Sequence, residues 1–193
     1  MKKTNSLVTI ARITFLVIGV TLAACKGNNA NSQQTQTLVR VKPPKMDINT
    51  AAASGNAEAV KQHIAAGTNI NEKDPFGGSS PLISASLFGK TDIVKILLDA
   101  GANINFTNND GSTALHAAAF FCRPEIVKLL LEKRADKTIR NKYKSTAYES
   151  VAGPFTQVKP TYEMMVKMLE PMGLKLDFNY LEKTRPQIAS VLK

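Results

Sequence analysis

The chain has 193 residues, a formal net charge of +10 and only two cysteines. Two cysteines exclude a disulfide-stapled scaffold and cannot complete a zinc site alone, so packing must hold the fold together. The roughly 150 residues after position 45 are enough for one domain with a hydrophobic core.

The first 24 residues are typical of an export signal. Lys2, Lys3 and Arg12 form the positive start, and an apolar run without charge follows over 13–24. This run is shorter than the about 20 apolar residues that a membrane-spanning helix needs. It ends in Leu-Ala-Ala before Cys25, which resembles the cleavage site of a bacterial lipoprotein. The resemblance implies a lipid on Cys25 and membrane attachment. The alternative is an ordinary signal with Cys25 there by chance.

Segment 25–45 is predicted to be a flexible tether. Residues 27–37 are rich in Asn, Gln, Ser and Thr, so they cannot bury enough apolar surface to fold. By the same lipoprotein resemblance, Lys26 in place of Asp favours the outer membrane, with the folded domain, 46–193, in the periplasm. The alternative is a cytoplasmic protein with a false signal.

A period of thirty-three residues organises the folded part. The sequence Thr-Ala-Leu-His at 113–116 lies thirty-three residues after Ser-Pro-Leu-Ile at 80–83 and thirty-three before Thr-Ala-Tyr-Glu at 146–149. Such a period indicates stacked helical repeats, each of which buries its apolar face only against its neighbours. The first residue of each sequence, Ser or Thr, stands where a helix N-cap is needed. Apolar residues at i, i+1, i+3 and i+4 mark a second helix in the units.

The units resemble ankyrin repeats, and the resemblance covers roughly residues 47–152. It rests on turn glycines, on Thr-Ala-Leu-His at 113–116 and on Ile-Val-Lys-Leu-Leu-Leu at 126–131. It implies an all-α solenoid of about four helix-turn-helix units, at 47–73, 74–109, 110–142 and 143–193. After residue 152 we expect an irregular helical C-terminal cap. Its expected parts are a loop at 153–160, a second helix from Tyr162 to Glu170 and a last helix broken near Pro186.

Three residues depart from the family pattern at positions where glycine is usual. Cys122 lies between the two helices of the third unit, Arg134 follows its second helix, and Lys144 lies in the next turn. If Arg134 adopts the left-handed conformation of the glycine it replaces, this costs about 1 kcal/mol.

No catalytic, metal or cofactor site is predicted, and the chain is not expected to be an enzyme. Cys122 follows His116 by six residues, which puts a potential nucleophile and base on different faces of a helix. By the ankyrin resemblance, His116 serves to hydrogen-bond neighbouring turns, and His63 is also interpreted as structural. The carboxylates are scattered and lie mostly at helix starts, where the helix dipole favours them.

The ankyrin resemblance implies a concave groove that binds a protein partner. The family presents to this groove the two residues before the inter-helix glycine, which here are large and apolar in two units. Turn tips extend the patch, and apolar patches commonly mark binding surfaces. The predicted partner contacts are Phe76, Leu87, Phe88, Asp110, Phe120, Phe121, Arg123 and Tyr143. The alternative is that Phe155 and the loop 153–160 fold back and cover the patch.

Residues 123–144 hold eight basic and three acidic side chains. On an exported chain this favours a phospholipid surface or an acidic protein over nucleic acid, and a merely solvated face is the alternative. The predicted function is therefore a monomeric, non-catalytic, lipid-anchored adaptor in the bacterial cell envelope. The alternative is an inhibitor, immunity or accessory protein of a secreted or periplasmic enzyme.

Overall fold

The structure, a computed structural model, describes residues 41–193. Cys25, the export signal and all but the last residues of the tether lie outside this range, so their predictions stay predictions. The described residues fold into helices and turns without a strand. Within 41–193 no helix has both the length and the apolar character that crossing a membrane requires.

Six helices form the first three units as successive pairs. Each first helix packs on the first helix of the next unit, and each second helix packs on the next second helix. Alanines in the first helices, including Ala52, Ala85 and Ala118, are fully buried and let these helices approach closely. The pairs are α1 (Ile48–Ser54) with α2 (Ala57–Ala65), α3 (Pro81–Leu87) with α4 (Thr91–Asp99), and α5 (Ala114–Phe120) with α6 (Pro124–Glu132).

Helices α3 and α5 begin directly after the predicted caps Ser80 and Thr113, whereas the first helix of the last unit begins at Glu149, three residues after the predicted cap Thr146. The Ser80 and Thr113 hydroxyls accept hydrogen bonds from the third backbone N–H of α3 and α5. Thr146 forms a reciprocal pair with Glu149, since its hydroxyl accepts from the Glu149 N–H while the Glu149 carboxylate accepts from the Thr146 N–H. These caps keep the thirty-three-residue register from unit to unit.

The last unit differs from the prediction. Its first helix, α7 (Glu149–Ala152), is followed by α8 (Phe155–Leu169), a 3-10 turn at Glu170–Met172 and α9 (Phe178–Leu192). The second helix of this unit is α9, which packs on α7 and on α6, and not the predicted helix at 162–170. The α8 segment is an insertion between the two helices of the unit.

The predicted loop at 153–160 and the predicted break near Pro186 are both wrong. Helix α8 continues through Pro160, and α9 continues through Pro186. A proline removes the N–H that would bond the carbonyl four residues earlier. Those carbonyls belong to Thr156 and Glu182, which are exposed residues, so solvent can bond them in place of the missing donor.

Candidate functional site

The turns between units form a connected row along one edge of the stack. The backbone N–H of Asn109 donates to the Gly77 carbonyl at 2.9 Å, and the N–H of Lys142 donates to the Asp110 carbonyl at 2.8 Å. Each turn tip is therefore fixed to the next. The exposed side chains of this row are the predicted contacts Phe76, Asp110 and Tyr143, and the two aromatic residues are 92% and 74% exposed.

Each turn is also held internally by one carboxylate or amide side chain. The Asp74 carboxylate accepts from the N–H groups of Phe76 and Gly77, both at 2.8 Å, and of Ser79. Asn108 and Asn141 bond their own turns in the same way. The tips are consequently rigid supports for the aromatic side chains that they present.

The second unit places Leu87 and Phe88 at the end of α3, and both side chains are half-buried. Arg123 reaches back to this point from the third unit, and its Nε donates to the Leu87 carbonyl at 3.3 Å. Its guanidinium lies against Gly89, where a Cβ would approach Nε to 3.0 Å. Burial lowers the pKa of Arg123. Arg123 thus joins two units in addition to lying beside the predicted contacts.

In the third unit, the predicted patch of exposed phenylalanines is not present. Phe121 is only 3% exposed, so it belongs to the core and not to a partner-binding surface. Phe120 is half-buried, and the Tyr162 ring stacks on it with centroids 4.5 Å apart. The patch is covered at this point, as the alternative proposed, but by helix α8 and not by a loop. The Phe155 ring also packs near the Tyr162 ring, with the two ring centroids 5.9 Å apart.

Tyr162 is held over Phe120 by a buried arginine that the sequence analysis did not single out. The Tyr162 hydroxyl donates to the Phe120 carbonyl and accepts from Arg185 at 2.8 Å. Arg185 is 2% exposed and also donates to the carbonyls of Ser150 and Gly153. Burial raises the pKa of Tyr162 to about 12, which keeps the hydroxyl protonated. The sequence feature that identifies Arg185 is its place on the apolar stripe of α9, between Leu181 and Ile188.

The potential catalytic side chains all have structural contacts. His63 bonds the Met46 carbonyl at 2.7 Å and the Thr68 hydroxyl. His116 bonds the Ser145 carbonyl at 3.1 Å, across the boundary to the next unit, and its pKa is lowered by burial. Burial raises the pKa of Cys122 to about 11, so its thiol is a poor nucleophile near neutral pH.

Over residues 41–193, His, Cys, Asp and Glu side chains do not gather in threes as a metal site requires. Besides Phe120, which lies under the Tyr162 ring, six of the predicted partner contacts remain at least partly accessible. They are the two aromatic turn tips, Asp110, and the half-buried Leu87, Phe88 and Arg123.

Known proteins resemble the same part of the chain. A family model described as ankyrin repeats, in three copies, matches residues 48–141. The human protein named "DNA-binding protein RFXANK" is 38% identical over 58 residues, which are 30% of this chain and 22% of that protein. An ankyrin repeat-containing protein of Schizosaccharomyces pombe is 34% identical over 61 residues, covering 32% of this chain and 29% of its own length.

The crystal structure of the ankyrin repeat domain of Bcl-3, a unique member of the IkappaB protein family, is also similar. The match has 30% identity and a TM-score of 0.51, and it covers 53% of this chain and 45% of that one. The chain thus spans less than a third of either curated relative and less than half of the solved structure. The fold of the described residues is an all-α ankyrin-repeat solenoid, an architecture typical of protein-interaction modules.

Proposed function

We propose that this protein is a non-catalytic adaptor that binds a protein partner along the row of turn tips and in the groove beside it. The observation that carries the proposal is the exposure of Phe76 and Tyr143 on rigid, mutually bonded turns. Exposed aromatic side chains on a fixed scaffold bind with little loss of conformational entropy, and they often dominate interface energies. The half-buried Leu87 and Phe88 supply the apolar floor next to them.

The third unit limits where the partner lies. Phe120 is stacked under Tyr162 and Phe121 is in the core, so contacts at that end must come from the turn tip and not from α5. We therefore place the partner across Phe76, Asp110 and Tyr143 and over Leu87 and Phe88. Arg123 contributes through its position at the end of α3.

The test replaces both exposed aromatic tips, as Phe76→Ser with Tyr143→Ser, in the full chain. Proteins crosslinked to the chain in its own cells are quantified against the unmodified chain. We expect one partner to be lost at least tenfold, because each deeply buried aromatic anchor contributes on the order of 2 kcal/mol. The circular dichroism spectrum should not change, since both side chains are exposed.

A matched control removes two exposed apolar side chains elsewhere. Met164 and Met168 lie on α8, outside the turn row, and are 58% and 61% exposed. The Met164→Ser, Met168→Ser variant should retain the partner. Retention of every crosslinked protein by the tip variant, or equal losses from both variants, would show that the tips are not the binding surface.

Lipid attachment at Cys25 is a separate part of the proposal. It is supported by the Leu-Ala-Ala sequence that ends the apolar run 13–24 directly before Cys25. The lipid would hold the adaptor at a membrane of a bacterial envelope. Lys26 in place of Asp favours the outer membrane, with the domain in the periplasm. Cells fed a palmitate analogue should label the natural chain and not the Cys25→Ser variant. Equal labelling of both, or of neither, would contradict the anchor and leave the groove proposal unaffected.

A further inference from the structure

The three segments that link the units differ sharply in charge. The segment between α2 and α3, 66–80, contains two acidic residues and one basic residue, and the segment between α4 and α5, 100–113, contains one acidic residue. The segment between α6 and α7, 133–148, contains six basic residues and one acidic residue, a net charge of +5. Since the first two segments form the same turn without these cations, the fold does not require them.

Two of the six cations are used in ion pairs. Lys133 bonds Asp99 at 3.0 Å, and Arg140 bonds Glu149 at 2.7 Å. The other four are exposed and form no salt bridge among the described residues, although the Lys137 Nζ donates to the Lys193 backbone oxygen at 3.2 Å. We call these four the cationic edge: Arg134, Lys137, Lys142 and Lys144.

Two members of the cationic edge stand in a conformation that favours glycine. Arg134 has φ of 63° and Lys144 has φ of 59°, whereas the earlier units place Gly67, Gly101, Gly78 and Gly111 at the corresponding positions. A side chain at Gly111 would meet the backbone of Asn141 in the next turn, but Lys144 lies in the last such turn. Space therefore permits a side chain there, yet the backbone strain remains. The backbones of Arg134 and Lys144 are hydrogen-bonded, but their charged side chains form no salt bridge among the described residues that would offset the strain. Strained residues of this kind point to a function outside the fold.

We propose that the cationic edge binds the surface of an anionic phospholipid membrane. Tyr143 stands between Lys142 and Lys144 at the exposed turn tip, and a tyrosine flanked by lysines suits the membrane interface, where the ring and the polar hydroxyl are both accommodated. A protruding tip fits a flat charged surface better than it fits a recess for a peptide. The proposed membrane site does not require a lipid on Cys25, and it shares only Tyr143 with the surface proposed for the protein partner.

The test measures co-sedimentation with vesicles of phosphatidylglycerol and phosphatidylcholine. It uses residues 26–193, which lack Cys25 and retain every residue that the structure describes. Binding should be present at about 0.01 M salt and lost at about 1 M, where the Debye length is only about 3 Å. Vesicles of phosphatidylcholine alone should not bind.

The decisive variant is Arg134→Gly with Lys144→Gly, which restores the residue found in the other units. It should fold at least as stably as the natural chain, because glycine relieves the left-handed strain. Each cation removed should weaken binding about fivefold, so the variant should bind about 25-fold more weakly. The charge-matched control is Lys61→Gln with Lys183→Gln, two exposed helical lysines, and it should change binding less than about twofold.

Three results would overturn the proposal. They are no sedimentation of the natural chain with phosphatidylglycerol vesicles at low salt, equal weakening by both double variants, and binding that survives high salt. If the vesicles leave the chain in solution while a polyglutamate peptide binds the natural chain and not the Arg134→Gly, Lys144→Gly variant, the edge serves an acidic protein instead.

Discussion

His116 shows how one buried side chain fixes its own protonation state. Its Nε2 contacts the Ser145 carbonyl, which only accepts hydrogen bonds, so Nε2 carries the proton. Its Nδ1 then accepts from the Thr113 N–H at 3.2 Å. The neutral ring satisfies both contacts. Protonation at Nδ1 would break the hydrogen bond from the Thr113 N–H. Burial lowers the pKa of the ring below its usual 6.5.

We expect this histidine to make the fold sensitive to mild acid. A folded-state pKa below the unfolded value means that the unfolded chain binds the extra proton more readily. Its contribution to stability is therefore complete above about pH 6.5 and falls as the pH drops through that value toward the folded-state pKa. Urea unfolding at about pH 7.5 and about pH 5.5 measures the loss. The His116→Gln variant, although less stable, should lose less between the two pH values. An equal loss would assign the effect to another group.

Arg185 is a buried cation whose partners are all neutral oxygens. Its Nη atoms bond the Tyr162 hydroxyl and two carbonyls, while its Nε has no hydrogen-bond partner in the described structure. Removing the Tyr162 hydroxyl leaves a second donor unpaired in the interior. Such a loss at a charged group costs about 1.5–3 kcal/mol.

A double-mutant cycle tests this arrangement. Tyr162→Phe should lower the free energy of unfolding by about 2 kcal/mol, because the ring packing is retained and only the hydroxyl is lost. The same change in an Arg185→Met background should cost about 1 kcal/mol or less, since the buried charge is gone. Urea unfolding of the four chains gives the coupling energy. Equal costs of Tyr162→Phe in both backgrounds would mean that the hydroxyl does not stabilise the guanidinium.

Between neighbouring units, asparagine side chains repeat one contact. The Asn71 side chain accepts from the Asn103 N–H at 2.8 Å, and the Asn105 side chain accepts from the Asp136 N–H at 2.9 Å. Both contacts lie at the same position of the repeat and join each unit to the next. In a solenoid, stability depends on such interfaces between neighbours.

Asn105→Ala should therefore weaken the interface between the second and third units. We expect a loss of about 1 kcal/mol in the free energy of unfolding, because the Asp136 N–H is partly exposed and can bond water instead. Asn105→Asp keeps an oxygen acceptor and should be nearly neutral. Urea unfolding compares the two, and an equal loss in both variants would show that the amide group has another role.

The sequence predicts the regular units well and the last unit poorly, for different physical reasons. Local caps at Ser80 and Thr113 and a repeated apolar stripe determine α3 to α6. The position of each of these helices can therefore be predicted from the residues of its own repeat. Helix α9 is placed by contacts with α6 and α7 across an insertion that no period reveals. The sequence wrongly predicts a loop up to Pro160 and a break near Pro186. Whether a helix tolerates a proline depends on which backbone carbonyls reach water, and the sequence does not show this.

The candidate site divides in the same way. Exposure of Phe76 and Tyr143 follows from their place at turn tips, and the structure shows both exposed. The burial of Phe121 does not follow from its unit, because its cover comes from Tyr162, forty-one residues later. The missing glycine predicts a strained backbone at Arg134 if that residue is left-handed, and its positive φ confirms the conformation, which Lys144 also adopts.

For the molecule as a whole, α9 closes the open end of the stack. Cys122 lies under it, with its Sγ 3.8 Å from the Leu181 carbonyl, and its left-handed backbone, φ of 52°, directs the side chain into the interior. In the two earlier units this position is glycine, and the next unit's Lys90 or Arg123 lies over it. The accessibility of the Cys122 thiol therefore depends on whether α9 is packed against the third unit.

A chain ending at residue 177 tests this role of α9. In residues 26–193 the Cys122 thiol should react with a disulfide reagent only slowly, because it is buried and its pKa is raised to about 11. Removing α9 uncovers the thiol and returns its pKa toward about 8.5, so labelling should become at least a hundredfold faster. The control is Tyr180→Ser, an exposed substitution on α9 that should leave the rate unchanged. If the shortened chain kept the slow rate and the helical signal of α1 to α6, α5 and α6 would be shielding Cys122 unaided, and the ankyrin stack would end at the third unit.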